Sequence, residues 1–246
     1  MKIIDAFWEK RNIGVDTIEI IIEEKDTIDD IEETLRKIDS QYIVVKVPAG
    51  KIDAMFLLNK LGYNFIECII RVTHDLENIE LKGIPKRLSD NVSYSLMNEK
   101  DYSVLFDEIN KGMFTTDRIY LDPSFTIEQA SKRYIGWIKD ELSKGAEAFK
   151  LVYKEKHVGF FMLKEIEKDT YYPFLAGIYN DYRNTGLGYI FNYKPLCEVV
   201  KKGGKMVSTY ISTNNSNTVR MHSILGFQFN ETNYVYIYHN KKGENY

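Results

Sequence analysis

Two nine-residue stretches constrain this chain more than any other feature. Leu57 to Phe65 reads LLNKLGYNF, and Met221 to Phe229 reads MHSILGFQF. In each, apolar residues at helical spacing run into Leu-Gly-aromatic-x-Phe and then into a strand-like run. A glycine just past the last helical turn takes the left-handed conformation that ends a helix without steric cost, so each stretch marks a helix turning directly into a strand. A strand and a helix precede each copy. The pair therefore reads as a degenerate duplication, although two such caps also arise by chance.

The elements around these caps follow from spacing. Ile18, Ile20, Ile21 and Ile22 place a β-branched strand at Thr17 to Glu24. Asp26 to Asp39 opens acidic and sets Ile28, Ile31, Leu35 and Ile38 on one helical face. Tyr42 to Val47 is a buried strand closed by Pro48, Ile52 to Leu61 a helix stopped by Gly62, and Phe65 to Thr73 another strand. Leu76 to Asp90 loses all pattern and holds Gly83 and Pro85, which marks a linker and divides the chain into residues 1–88 and 89–246. The second part reads as strand Val92 to Met97, helix Glu99 to Phe114 and a helix from Thr126 to Lys144 capped at Thr126. Strands at Phe149 to Tyr153, His157 to Ile166 and Tyr171 to Tyr179 follow. The helix Gly188 to Lys202, the strand Met206 to Ser212, the helix Asn217 to Leu225 and the strand Asn233 to Tyr238 complete it. Helices on both faces of a mixed sheet bury such strands, giving an α/β (α+β) class.

Composition excludes several functions. The 33 basic and 36 acidic residues give a net charge of -3 and are spread along the chain. No electropositive surface for nucleic acid is expected. The apolar runs stay shorter than the roughly 18 residues of a membrane span, so no membrane partner is expected and a soluble, cytoplasmic protein is. Cys68 and Cys197 lie in apolar runs, consistent with free thiols in a reducing compartment. The four histidines are far apart, so no metal site is expected. Monomer and homodimer both stay open.

The stretch LAGIYNDYRNTGLG, Leu175 to Gly188, is the most informative for chemistry. A strand passes through Arg183-Asn184-Thr185-Gly186-Leu187-Gly188 into a helix whose free N–H groups and positive dipole end suit a pyrophosphate. A plain strand-to-helix turn can carry the same glycines. A dinucleotide fold places its glycine loop after the first strand, and this one comes late. Arg183-x-x-Gly186-x-Gly188 after a strand, then helix, strand and an Asn-rich helix start ending in Gly226-Phe227, resembles the GNAT acetyltransferase superfamily over Val92 to His239.

The resemblance implies a GNAT fold with a mostly antiparallel sheet, an N-terminal degenerate GNAT-like half, and acetyl-CoA as co-substrate for a small-molecule amine. It implies that the backbone of Leu175, Ala176, Gly177 and Ile178 pairs with the pantetheine arm and that Arg183, Asn184, Thr185, Gly186, Leu187 and Gly188 cradle the pyrophosphate. Asn215 would hydrogen-bond the cofactor, though Asn214, Asn215 and Asn217 are also helix-capping residues. His222 stands four residues before Gly226, where many members have the tyrosine that protonates the departing thiolate. It is a candidate acid or a packed helix-face residue. Glu165 and Tyr172 are candidate bases, with solvation or packing as the plainer account. Phe7-Trp8-Glu9, Gly14-Val15, Leu61-Gly62-Tyr63 and the stretch from Arg118 through Asp122 to Tyr134 and Trp137 also resemble the two-part layout of the dTDP-fucosamine N-acetyltransferase family. That layout implies a nucleotide-linked amino sugar as acceptor, bound along Thr115 to Phe125. A peptide, polyamine or aminoglycoside amine is the alternative, with Asp117, Asp122 and Glu128 as a possible acidic wall. A non-catalytic CoA-binding module is the other.

Overall fold

The computed structural model describes residues 1–77, 79–183 and 185–240. The first half runs β1 (Lys2–Asp5), α1 (Phe7–Ile13), β2 (Thr17–Ile21), α2 (Ile28–Lys37), β3 (Tyr42–Pro48), α3 (Ile52–Lys60) and β4 (Asn64–His74). Next come α4 (Gly83–Asp90), β5 (Val92–Leu96), α5 (Glu99–Asn110), the single turn α6 (Arg118–Leu121), α7 (Ile127–Ser143), β6 (Glu147–Tyr153), β7 (Lys156–Glu167) and β8 (Thr170–Ile178). After a short 3-10 turn come α8 (Gly188–Lys201), β9 (Met206–Ser212), α9 (Ser216–Ile224) and β10 (Gln228–His239).

Four elements depart from the sequence reading: β1, α1, α4 and the single turn α6. β1 and α1 occupy a segment without apolar periodicity; β1 is fixed by antiparallel pairing with β2, and α1 by packing on α7. The expected linker contains the helix α4. Pro85 hides it in the sequence, yet as the third helical residue its missing N–H falls in the turn that has no intrahelical acceptor anyway. The last strand starts at Gln228 and runs through Asn233 to Tyr238 as expected.

All ten strands join one sheet in the order β1-β2-β3-β10-β4-β9-β8-β7-β6-β5. Neighbours are antiparallel except β2 with β3 and β8 with β9. Each parallel pair begins a β-α-β-α-β run, and the final strands of the two runs are exchanged: β4 lies beside β9, and β10 beside β3. Aligning LLNKLGYNF with MHSILGFQF sends the register pair Phe65–Tyr236 onto Phe229–Val72, which is also a register pair. An approximate two-fold relation therefore passes between β4 and β10. Gly62 and Gly226 end their helices with φ of 85° and 86°.

Strand alternation assigns the two faces. Ile43, Val45 and Val47 of β3 pack against Ile31 and Leu35 of α2 and Leu57 and Leu58 of α3. Tyr42 and Val44 face the other way, toward Ile13 of α1, Ile119 of α6 and Ala130 of α7. α1 crosses α7 at Gly136, where an added Cβ would stand 2.2 Å from the Asn12 side chain. Beneath that crossing Glu9 is fully buried. Arg118 donates to it from Nη2 at 2.6 Å, and Arg133 from Nε at 2.8 and 3.0 Å. Arg133 also reaches Asp117 at 3.1 Å.

Removing one partner of a buried ion cluster strands the others without water. Glu9→Ala is expected to destabilise the protein by roughly 3–5 kcal/mol in urea unfolding, whereas Lys132→Ala, whose pair with Glu128 is exposed, is expected to leave the unfolding midpoint nearly unchanged.

Candidate functional site

The cleft exists because β8 and β9 part company. They pair only at Thr170 with Met206 and Tyr171 with Val207, whereas β2 and β3 pair at five positions from Thr17 to Ile21. Pro173 sits two residues beyond the last β8–β9 pair and has no N–H to offer a ladder. Its carbonyl instead accepts from Thr209 Oγ1 at 3.0 Å. From Leu175 to Ile178, β8 keeps β7 on one edge and turns the other toward the gap. A cavity of about 350 Å³ fills that gap, lined by Leu175 and Ala176 of β8, Thr209 and Ile211 of β9, and Asn215 and His222 of α9. Gly177 and Ile178 continue the same edge. At Gly159, opposite on β7, an added Cβ would meet the Gly177 carbonyl and the Phe191 ring, each at 2.2 Å.

At the far end of β8 the chain turns into α8. Gly186 has φ of +79° and open space around it. Leu187, at the N-cap position, is buried and offers no side-chain acceptor to the first helical turn. The Ile190 N–H turns back to the Leu187 carbonyl at 2.9 Å, and the positive end of the helix dipole lies at this turn. Arg183 is anchored through Nη2 to the Met113 carbonyl at 2.6 Å, and Thr185 Oγ1 donates to the Tyr182 carbonyl at 2.6 Å. Asn184 lies outside the described residues. The equivalent turn of the first half, between β2 and α2, carries Glu23, Glu24 and Asp26, and Thr27 caps α2 by accepting from the Asp30 N–H. The β8–α8 turn holds one carboxylate, Asp181, where the β2–α2 turn holds three.

No family model matches the sequence, and no curated protein matches it either. Solved structures do. A GCN5-related N-acetyltransferase from Sphaerobacter thermophilus superposes with a TM-score of 0.64 at 10% identity, over 97% of this chain and 75% of that one. A tandem GNAT protein from the clavulanic acid biosynthesis pathway gives 0.57 at 13% identity, over 92% and 76%. A GCN5-related N-acetyltransferase from Kribbella flavida gives 0.53 at 10% identity, over 90% and 80%. The chain has the GNAT fold. The two halves fit the tandem form of that fold, and the splayed pair belongs to the second half.

Around the splay of this GNAT fold, the remaining candidates separate. Asn215 lines the cavity and also caps α9, accepting from the Thr218 N–H at 3.1 Å. His222 is buried, stacks near Phe227, and donates from Nδ1 to the Thr218 carbonyl at 2.9 Å, which leaves Nε2 as its free lone pair. Burial pushes its pKa below the ordinary histidine value, against the raising effect of the Thr218 bond. Tyr172 stands on the cavity wall under the Lys164 ammonium, and burial pushes its phenol pKa upward. Glu165 is not part of this group. It is exposed in the β7–β8 hairpin, accepts from the Asp169 N–H at 3.0 Å, and does not line the cavity.

The sequence reading missed Glu67. This carboxyl on β4 is 7% exposed and lines the cavity opposite α9, brought there by the strand exchange. Burial raises its pKa first of all, while Arg118 opposes and Ser212 supplies a hydrogen bond. A single carboxyl inside the apolar run FIECII was the available signal. Of the expected acidic wall, Asp117 lines the cavity, but Asp122 is buried on His239 at 2.7 Å and Glu128 pairs with Lys132. Phe114 and Thr116 line it as well, whereas Phe125 packs into the core. Cys197 is half-buried, with its thiol pKa pushed up by burial.

The His222 shift fixes a pH dependence. With its folded pKa below the unfolded value of about 6.5, the unfolded chain binds more protons as pH falls below 6.5, so stability drops there. Urea unfolding at pH 7.5 and 5.5 is expected to show a smaller loss for His222→Asn than for the unaltered protein.

Proposed function

We propose that this protein is an acetyl-CoA-dependent N-acetyltransferase for a small-molecule amine, transferring directly while both substrates occupy the cleft. The observation that carries the reading is the two-residue pairing of β8 with β9 beside a helix start that no N-cap side chain closes. The open edge from Leu175 to Ile178 offers main-chain groups to the amides of a pantetheine arm. The first turn of α8, with Thr185, Gly186 and Gly188 before it, offers N–H groups to the pyrophosphate, and Arg183 pins the turn to Met113. Asn215 is within the cavity to bond the cofactor while it caps α9.

Acetyl-CoA supplies the activated acyl thioester. The amine must arrive at the carbonyl without its extra proton, and Glu67 is the buried carboxylate in the cleft that can take it. Its raised pKa brings it closer to neutral pH, where a general base works best. An N–H of the open β8 edge near Gly177 polarises the carbonyl oxygen. The new C–N bond forms as the C–S bond breaks, and the thiolate takes a proton from a group on the cavity wall. His222 can supply it through Nε2 after first gaining one, because Nδ1–H is committed to Thr218. Tyr172, with its raised phenol pKa, already carries a proton and is the second candidate donor.

Thermal unfolding with and without excess acetyl-CoA tests this. At 100 times its dissociation constant the ligand is expected to stabilise the protein by about 2.7 kcal/mol, and Gly186→Glu, which sets a carboxylate in the anion turn, is expected to abolish the shift. No shift at saturating cofactor defeats the reading. With an amine that is turned over, Glu67→Gln is expected to lower kcat about 10²- to 10⁴-fold at unchanged acetyl-CoA affinity.

A further inference from the structure

A second, larger cavity of about 820 Å³ lies along the sheet and meets the first at Lys46, Ile69, Tyr172 and Tyr210, which line both. Its floor crosses the exchanged strands, from Tyr172 on β8 and Tyr210 on β9 through Ile69 on β4 and Asn233 on β10 to Lys46 on β3. Glu24, just past β2, stands at its outer end.

The charges along this path are lopsided in a way that counting alone hides. Both basic side chains lining the two cavities are engaged: Lys46 pairs with Glu19, and Arg118 with Glu9. Asp117 is matched by Arg133, and Glu231 by Arg71. Among the described residues, Glu67 and Glu24 line the path without an ion pair. Lys51 does approach Glu24, but its ammonium is held by the main-chain carbonyl at 3.1 Å. A diphosphate laid along this path would meet lysine and arginine side chains that already have carboxylate partners, and two carboxylates without an ion pair.

Sheet register sets the span between those carboxylates. Glu67 pairs with Val235, Val235 with Lys46 and Lys46 with Ile21. That is three strand spacings, about 14 Å, with Glu24 three residues beyond Ile21. Tyr172 and Tyr210 stand where the two spaces join; Lys164 already lies over the Tyr172 ring, and Tyr210 can present its ring to a passing cation.

We infer that the acceptor is an extended amine with at least two ammonium groups, one reacting beside Glu67 and another held toward Glu24. This rests on the acetyltransferase reading of the same cleft for its chemistry, but not for its binding. An aliphatic polyamine and an aminated oligosaccharide share this chemistry, and neither needs a phosphate site.

The test is calorimetric binding to the full chain, followed by acetylation assays. Spermine, kanamycin, butylamine and UDP-glucosamine are the probes. Spermine or kanamycin is expected to bind about tenfold or more tightly than butylamine, weakening as salt rises, and to be acetylated. Binding of spermine alone marks an aliphatic acceptor, and of kanamycin alone a sugar-borne one. Glu24→Gln, a change on an exposed loop, is expected to raise KM or Kd for the preferred polycation about two- to fivefold more than for butylamine. Equal binding of butylamine, preference for UDP-glucosamine, or an indifferent Glu24→Gln overturns the inference. If acetyl-CoA shifts the melting temperature while neither polycation binds, the inference fails alone. If spermine binds as expected but acetyl-CoA does not, the groove assignment stands and the transfer reading falls.

Discussion

Pairing of β10 with β4 is the constraint on which the rest of the molecule depends. Each strand ends the run of one half and completes the sheet of the other, so neither half owns a closed hydrogen-bonding ladder. Had each strand stayed beside its own partner, the first half would supply nothing to the second half's cleft. The exchange carries Glu67 and Ile69 on β4 to the flank of β9, beside the splay. A cleft built from both halves is thus a result of strand order.

The two halves also show how one topology accommodates two different strand-to-helix turns. In both, a strand turns into a helix beside a parallel neighbour. In the first half five register pairs keep β2 and β3 together, and the turn is filled with carboxylates under a threonine cap. In the second, Pro173 interrupts the ladder and the turn keeps one acid, Asp181, ahead of Gly186. Backbone N–H groups are equally available to any sequence; the side chains decide whether they stay bare. The Glu9 cluster serves the same cleft indirectly. It ties α1 and α7 to Arg118, whose side chain forms part of the cavity wall.

Much of this was legible beforehand where a local rule acts alone. The Leu-Gly-aromatic caps and the isoleucine-rich strands obey local sterics, and they gave the class and the two-half layout. What could not be read depends on partners distant in sequence. α1 has no apolar stripe of its own and is helical because it closes over α7 at Gly136. Pro85 disguised a helix in a segment that looked like a linker. Glu67 resembled an interruption in a strand until the exchange put it on the wall of the same cavity as His222, and Glu165 looked well placed until the hairpin carried it to the surface. No rule of spacing foretells which strand will sit beside β9.

The exchange also shapes how the chain must be made. β3 and β4 come early, yet the strand that separates them is among the last residues described. Until residues beyond 228 are available, both present unpaired, apolar edges that invite contact with other chains. Closing this sheet requires a long-range pairing of high contact order, which is intrinsically slow. The first half therefore cannot settle as an independent unit during synthesis. Its native sheet assembles only when the C-terminal strand threads into place, which makes nascent-chain protection a requirement of the architecture.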